Sequence, residues 1–201
     1  MRTIAFVAAA GAFALLLTSC SGKPSSKETK DTAQTAPSEP AIPADVQAAA
    51  QSSLGSEAEV LLFGDLALNG QQQVLAVNRL KTTPPGVVPG ILVTRAVVIQ
   101  NEAGKWKEIL RCDEHLQNAS GFLGGTPLSP VNGWRIRYER DPQKGLTMYF
   151  TPIAKPAGGY IITIGVRWNP KLRRYQALDR NFQEFVGETK QLETPQSQIR
   201  Q

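Results

Sequence analysis

The pattern of hydrophobic and polar positions divides the chain into three parts. Apolar residues follow one another almost without interruption over residues 4–17, and residues 21–43 then contain no large apolar side chain except Ile42. From about residue 58 onward, apolar and polar residues alternate with a period of two, as in strands with one buried face. The chain therefore begins with an apolar segment, continues through a polar one and ends in a β-rich region.

A short helix is predicted between the polar segment and the β-rich region. Pro43 suits the first turn of a helix, Asp45 complements the helix dipole, and Gly55 is a natural end. One narrow apolar stripe follows the helical period and consists of Val46, Ala50 and Leu54. The stripe predicts docking of this helix on the β-rich region.

Eight runs in the β-rich region read as strands, and most are separated by turn-forming residues. They are residues 59–63, 73–78, 91–100, 105–112, 134–140, 146–151, 160–168 and 172–178. The run 91–100 is apolar at both parities and predicts a central strand. We expect a mainly β fold: an antiparallel meander of about eight strands in hairpins, forming a sandwich, a partial barrel or a blade-like sheet, with one short N-terminal helix.

Three other segments show no strand pattern. Residues 113–133 are rich in Gly and Pro and predict a long loop. A short helical turn is expected after Arg180, through Phe182 and Phe185. Residues 189–201 read as a polar tail.

The apolar beginning has the features of a secretory signal. Arg2 precedes an apolar run that is shorter than the ~20 residues of a transmembrane helix. The run ends in Leu17-Thr18-Ser19-Cys20, which resembles the lipobox of bacterial lipoproteins. The resemblance implies a signal peptide at 1–19 and acylation of Cys20, for example by palmitate. It also implies a lipid-anchored, extracytoplasmic protein of the cell envelope, and Ser21, which is not Asp, favours the outer over the inner membrane.

Domain boundaries follow from this reading. Residues 20–43 are a lipidated Cys and a disordered tether, because they cannot bury enough apolar area to offset their ordering entropy. Residues 44–188 form a single β-rich domain, followed by the tail 189–201. With Cys20 lipidated, Cys112 is the remaining thiol of the two cysteines, and we expect it to be buried and inert.

One turn resembles a known calcium-binding loop. The segment 63–74, FGDLALNGQQQV, is similar to the strand–loop–strand of FG-GAP or VCBS repeats. The resemblance implies that Asp65 and Asn69 occupy ligand positions and that Gly70 makes the sharp turn. Ala67 and Gln73 depart from the motif, and Ca²⁺ prefers ~6–8 oxygen ligands. A metal-free turn is therefore favoured, with Asp65 and Asn69 as weak metal candidates.

The chain shows no recognised catalytic motif, nucleotide-binding loop or complete zinc-ligand set. His115, its one histidine, lies beside Asp113 and Glu114 in the predicted loop. These residues form the basis of an enzymatic alternative. The enzyme question stays open, a non-catalytic function is favoured, and no cofactor is expected.

Positive charge is concentrated near the C-terminal end. The net charge is +5 overall, and residues 133–180 carry ten Lys/Arg against three Asp/Glu. We expect a basic sheet face, with Tyr149 and Tyr175 interleaved, that attracts anionic partners. Its predicted members are Arg135, Arg137, Arg167, Arg173 and Arg174.

The first functional hypothesis is a membrane-anchored lipoprotein that acts as a non-catalytic binding or structural module of the cell envelope. Its partners would be membrane lipid through Cys20 and an envelope protein or anionic polymer through the basic face; nucleic acid does not fit the compartment. The alternative is a hydrolase of envelope polymers, with the 113–133 loop over a cleft and Asp113, Glu114 or His115 as acid/base groups. A structural spacer is the third hypothesis.

Overall fold

The computed structural model describes residues 41–154 and 161–188. The predicted signal peptide, Cys20, almost all of the tether, Tyr160 and the tail 189–201 lie outside the described residues.

One helix and ten strands make up the described fold, which confirms the predicted mainly antiparallel β class with a short N-terminal helix. Each of the eight predicted runs contains a strand, although the last two strands begin later than predicted, at Ile164 and Arg174. The elements are α1 Ala44–Leu54, β1 Glu59–Gly64, β2 Gln73–Arg79, β3 Ile91–Glu102, β4 Lys105–Cys112, β5 Leu116–Asn118, β6 Gly121–Phe122, β7 Trp134–Asp141, β8 Gly145–Pro152, β9 Ile164–Asn169 and β10 Arg174–Ala177.

The strands form one antiparallel sheet curled into a half-barrel, and β3 lies at its centre. Along one edge β3 pairs with β2, which in turn pairs with β1. Along the other edge the start of β3 pairs with β7 and its end pairs with β4. Strands β7 to β10 follow as consecutive hairpins, and the curl brings β10 back to β5, where Asn118 Nδ2 donates to the Tyr175 carbonyl at 2.6 Å.

Two apolar clusters hold this sheet. The inner cluster fills the half-barrel and contains the inward parity of β7 and β8, including Trp134, Ile136 and Phe150. The second cluster lies between α1 and the outer face of β2 and β3, where Val46 and Ala50 meet neighbours from the sheet. Strand β3 is thus buried on both faces, as its apolar pattern predicted.

The turn between β1 and β2 closes one end of the half-barrel. Leu66 is 1% exposed and belongs to the inner cluster, and its carbonyl accepts a hydrogen bond from Leu146 N at 2.7 Å. Gly145 has φ +75°, and a Cβ there would lie 2.7 Å from the Leu66 oxygen, so this contact requires glycine.

Two segment predictions are wrong. Residues 113–133 are not a plain loop: they contain the β5–β6 hairpin, and Leu123 and Val131 are buried in the inner cluster. The segment after Arg180 forms turns instead of a helix, because a bridge between Leu178 and Phe185 fixes its ends.

Candidate functional site: an arginine face and its groove

The outer face of β7, β8 and β9 carries three of the five predicted arginines. Because side chains alternate across a strand, the inward positions of β7 leave Arg135 and Arg137 on the outside. Arg135 lies opposite Thr151, and Arg137 lies opposite Tyr149 with its guanidinium carbon 4.8 Å from the centre of the Tyr149 ring. We call Arg135, Arg137, Tyr149 and Arg167 the outer arginine face.

A groove of about 400 Å³ runs along this face beside Arg135 and Arg137. Pro89 and Gly90, just before β3, form one wall. The wall passes so close to Arg135 that a Cβ on Gly90 would lie 3.2 Å from its side-chain methylenes. The stem of Arg135 is therefore packed while its guanidinium is left at the groove.

Hydroxyl groups line the other side of the groove. Thr151 and Thr163 are hydrogen-bonded to each other at 2.8 Å, and Tyr149 donates to Glu139 at 3.2 Å. Burial and the neighbouring Glu139 carboxylate raise the pKa of Tyr149, while Arg137 and Arg167 act in the opposite direction. Tyr149 accordingly remains a protonated donor at neutral pH.

Arg167 is half-buried, like Arg135, and contacts the segment that follows β10. Its guanidinium donates to the Gln183 carbonyl at 3.1 Å and lies 5.1 Å from the centre of the Phe185 ring. The same segment packs Phe182 over Gly165, where a Cβ would lie 2.5 Å from the Phe182 ring. Within residues 41–154 and 161–188, no carboxylate forms an ion pair with any of the three arginines of the outer arginine face.

The remaining predicted members do not join this groove. Arg173 lies in the turn between β9 and β10, beside the β1–β2 turn. Arg174 begins β10 and donates from Nη1 to Ser120 Oγ at 2.5 Å, while its Nε is buried without a hydrogen-bond partner among the described residues. The arginines therefore form no single surface patch, because the turn before β10 separates Arg173 from the sheet face.

Tyr175 was wrongly expected on the basic face. It is completely buried on the inward parity of β10, and its hydroxyl donates to Gln73 Oε1 at 2.8 Å. Burial is the main cause that raises its pKa well above the usual value. The four-residue strand β10 gives too short an alternation to assign its faces from sequence.

The β5–β6 region borders an open concavity of about 600 Å³ that includes Asp113, Glu114 and His115. The His115 ring stacks on Phe122 with centroids 4.7 Å apart. Asp113 Oδ1 accepts a hydrogen bond from the His115 backbone at 3.2 Å, and its Oδ2 lies 3.8 Å from an Arg111 nitrogen. One of the three candidate acid/base groups is thus engaged in holding its own turn.

The weak metal candidates are engaged in a similar way. Asp65 accepts the Asn69 and Gly70 backbone N–H groups, one on each carboxylate oxygen, both at 2.9 Å. Asn69 Oδ1 accepts the Gln71 N–H at 3.0 Å. The part of the chain that the structure describes holds no cluster of three or more His, Cys, Asp or Glu suited to a metal ion. Cys112 is buried, as expected from the sequence, and burial raises the pKa of its thiol.

Sequence reasoning missed the groove wall and the threonine pair. The alternation in β8 could have assigned Thr151 to the arginine parity, but nothing local indicates that Pro89 and Gly90 lie against Arg135. That contact depends on the pairing of β3 with β7.

No family model, curated protein or solved structure matches this chain. Among the described residues, no helix is long and apolar enough to cross a membrane.

Proposed function

We propose that this protein is a lipid-anchored lipoprotein of the bacterial cell envelope that binds an anionic envelope polymer, without catalysis, through the outer arginine face. The observation that carries the proposal is the pair Arg135 and Arg137, which lie at a groove and have no carboxylate ion-pair partner among the described residues.

The spacing of charges suits an extended ligand. Arg135 and Arg137 lie two positions apart on β7. Arg167 lies on β9, two strands or about 10 Å across the sheet, level with Glu139 and offset along the strands from both arginines. Guanidinium groups bind carboxylates and phosphates through paired hydrogen bonds, and the groove supplies hydroxyl groups beside them. A polymer with repeated anionic groups would contact several of these positions at once. Glu139 limits the positive field at the far end of the face.

The anchor is proposed from the sequence. Cys20 would carry the acyl chains, and stable anchoring takes more than one chain. From its composition, the segment 20–43 is expected to serve as a tether that would hold the domain about 25–30 Å from the bilayer. Metabolic labelling with an alkyne palmitate should tag the wild-type chain and leave Cys20→Ser untagged. Recovery of an untagged wild-type chain with an intact N-terminus from the cytosol would remove the envelope assignment.

The binding test uses the full chain, purified in non-ionic detergent, on beads that carry lipopolysaccharide. The double variant Arg135→Glu, Arg137→Glu should lose at least about tenfold in affinity, because two positive side chains at the groove become negative and the local charge falls by four units. The matched control, Lys105→Glu with Lys107→Glu, alters net charge equally on β4 and should retain most of the binding.

Salt provides the second readout. Binding of the wild type should weaken as ionic strength rises, since the Debye length shortens from about 10 Å at 0.1 M. Equal loss in both double variants would show that net charge rather than the groove binds the polymer. If the arginine variant still binds lipopolysaccharide but no longer binds an acidic protein fraction that the wild type binds, the face would be assigned to a protein partner instead.

A hydrolase of envelope polymers is the second candidate, favoured by the concavity that includes Glu114 and His115. It ranks lower because Asp113 is already engaged by backbone and by Arg111. The wild type should then release soluble fragments from purified cell-wall polymer, and Glu114→Gln should abolish release without altering the denaturation midpoint. Absence of release by the wild type, or full release by both Glu114→Gln and His115→Gln, would eliminate this candidate.

A further inference from the structure

A second cleft lies at the closed end of the half-barrel, away from the groove beside Arg135. Three segments form it: the β1–β2 turn, the end of β3 and the turn between β9 and β10. Its volume is about 380 Å³, within the range of ~300–1,000 Å³ that small-molecule sites occupy. We call this the end cleft and define it by Leu68, Asn69, Gln100, Glu102, Trp168 and Arg173.

A chain of buried polar side chains leads from the core to the end cleft. The Tyr175 hydroxyl donates to Gln73, and Gln73 Nε2 donates to Gln100 Oε1, both at 2.8 Å. At the cleft, Asn69 Nδ2 donates to the same Gln100 oxygen at 3.1 Å, and Gln100 Nε2 donates to Glu102 at 3.2 Å. The network therefore fixes the orientation of both Asn69 and Glu102.

Burying this network costs folding free energy that an apolar core would not require. Gln73 is fully buried and Gln100 is 7% exposed, and burying amides demands that their hydrogen bonds be made inside the protein. An apolar pair of similar size would fill the same space without that demand. Satisfied buried networks of this kind fix the positions of the groups at their ends, which here are the walls of a cleft.

Two cleft groups keep binding capacity. Arg173 makes no hydrogen bond or ion pair within the described ranges, and the ion pair between Glu102 and Lys107 is long, at 3.9 Å, and exposed. Leu68 and Arg173 both have positive φ, +53° and +51°, on opposite sides of the cleft. Strained backbone of non-glycine residues concentrates at binding sites.

We propose that the end cleft is a second, independent ligand site for a monosaccharide that bears a carboxylate. A sugar ring has an apolar C–H face and a hydroxyl edge. Trp168 and Leu68 supply the apolar contacts, Asn69 donates from Nδ2 and Glu102 accepts at the hydroxyl edge, and Arg173 binds the carboxylate. A neutral sugar fits less well because it leaves Arg173 without an anionic partner. An inorganic cation fits less well because the cleft offers it a single carboxylate, that of Glu102.

The test is a titration of the isotope-labelled full chain with D-glucuronate, followed by backbone amide NMR, with D-glucose as the neutral probe. Glucuronate should shift the amide signals of residues 68–71, 100–102 and 173. Glucose should bind more weakly than glucuronate by a factor of at least about ten. Arg173→Gln should weaken glucuronate binding about tenfold and leave glucose binding unchanged. Arg135→Gln is the matched control, because it removes the same charge from the outer arginine face.

The outcomes separate this site from the proposed polymer binding. Shifts confined to the cleft, lost in Arg173→Gln and retained in Arg135→Gln, support the proposal whatever the lipopolysaccharide beads show. Absence of cleft shifts at the highest glucuronate concentration of the titration overturns the proposal. Equal weakening by the two variants, or glucose binding as tightly as glucuronate, overturns it as well.

Discussion

Replacing Leu66 by alanine tests whether the β1–β2 turn acts as a structural closure of the half-barrel. The side chain is 1% exposed and belongs to the inner cluster. The turn that carries it has a sequence that resembles a calcium-binding loop. Leu66→Ala removes three buried carbons, a transfer loss of about 2.4 kcal/mol at ~0.8 kcal/mol for each carbon. The cavity that remains raises the expected cost to roughly 3 kcal/mol.

Leu68 provides a matched control two residues away. It is 49% exposed, so Leu68→Ala should change the free energy of unfolding by less than about 0.5 kcal/mol. The backbone hydrogen bond from Leu146 to the Leu66 carbonyl is kept in both variants.

The assay is urea denaturation followed by tryptophan fluorescence, with the free energy extrapolated to water. In a thermal scan, Leu66→Ala should lower Tm by about 6–12 °C, at ~2–4 °C for each kcal/mol in a domain of this size. A loss below about 1 kcal/mol, or a loss equal to that of Leu68→Ala, would refute the idea that the turn closes the core.

Three further predictions concern buried or turn-forming groups. Asp65→Ala should destabilise the domain by about 1 kcal/mol because two backbone N–H groups lose their acceptor, and adding calcium should leave the wild-type urea midpoint unchanged; a raised midpoint would restore the metal interpretation of the turn. The phenol of Tyr175 has a raised pKa in the folded protein, so above pH about 10 the unfolded chain ionises first and stability falls by up to ~1.4 kcal/mol per pH unit. Tyr175→Phe should flatten this alkaline decline in pH-dependent denaturation, at the cost of leaving Gln73 Oε1 without its donor, and an unaltered slope would contradict the linkage. Cys112 should resist a thiol-specific reagent in native buffer and react fully in urea, since burial raises the pKa of its thiol, and rapid native labelling would argue against its burial.

The strand pattern of β7 shows how much of the fold the sequence could predict. Trp134 and Ile136 alternate with Arg135 and Arg137, and the structure places the first pair in the core and the second outside. This inference needs no tertiary information, because the pleat sends successive side chains to opposite faces. The helix α1 was predictable on similar grounds from its start, its end and its apolar stripe.

The hairpin β5–β6 shows where local pattern fails. Its strands are three and two residues long, too short for alternation to be detected. Distant contacts stabilise this region: the Trp134 ring nitrogen donates to the Asp113 carbonyl at 2.6 Å, and Asn118 reaches Tyr175 in β10. The Gly and Pro content of residues 113–133 indicated the turns of this segment but gave no sign of its two short strands.

The candidate sites divide in the same way. The sequence indicated which residues carry positive charge and, for Arg135 and Arg137, which face they occupy. The sequence could not show that Arg173 lies in a cleft with Asn69 and Glu102, because these residues are far apart in the chain and no local pattern near Arg173 predicts their contact.

By itself, then, the sequence determined strand content, the helix and the inward parity of the longer strands, because these depend on spacings of a few residues. Tertiary structure alone decided that β3 pairs with β7, that Pro89 and Gly90 wall the groove, and that Tyr175 meets Gln73 across 102 positions of chain. Those contacts arise from the curl and register of the whole sheet, and they join residues too far apart in the chain for any local pattern to record.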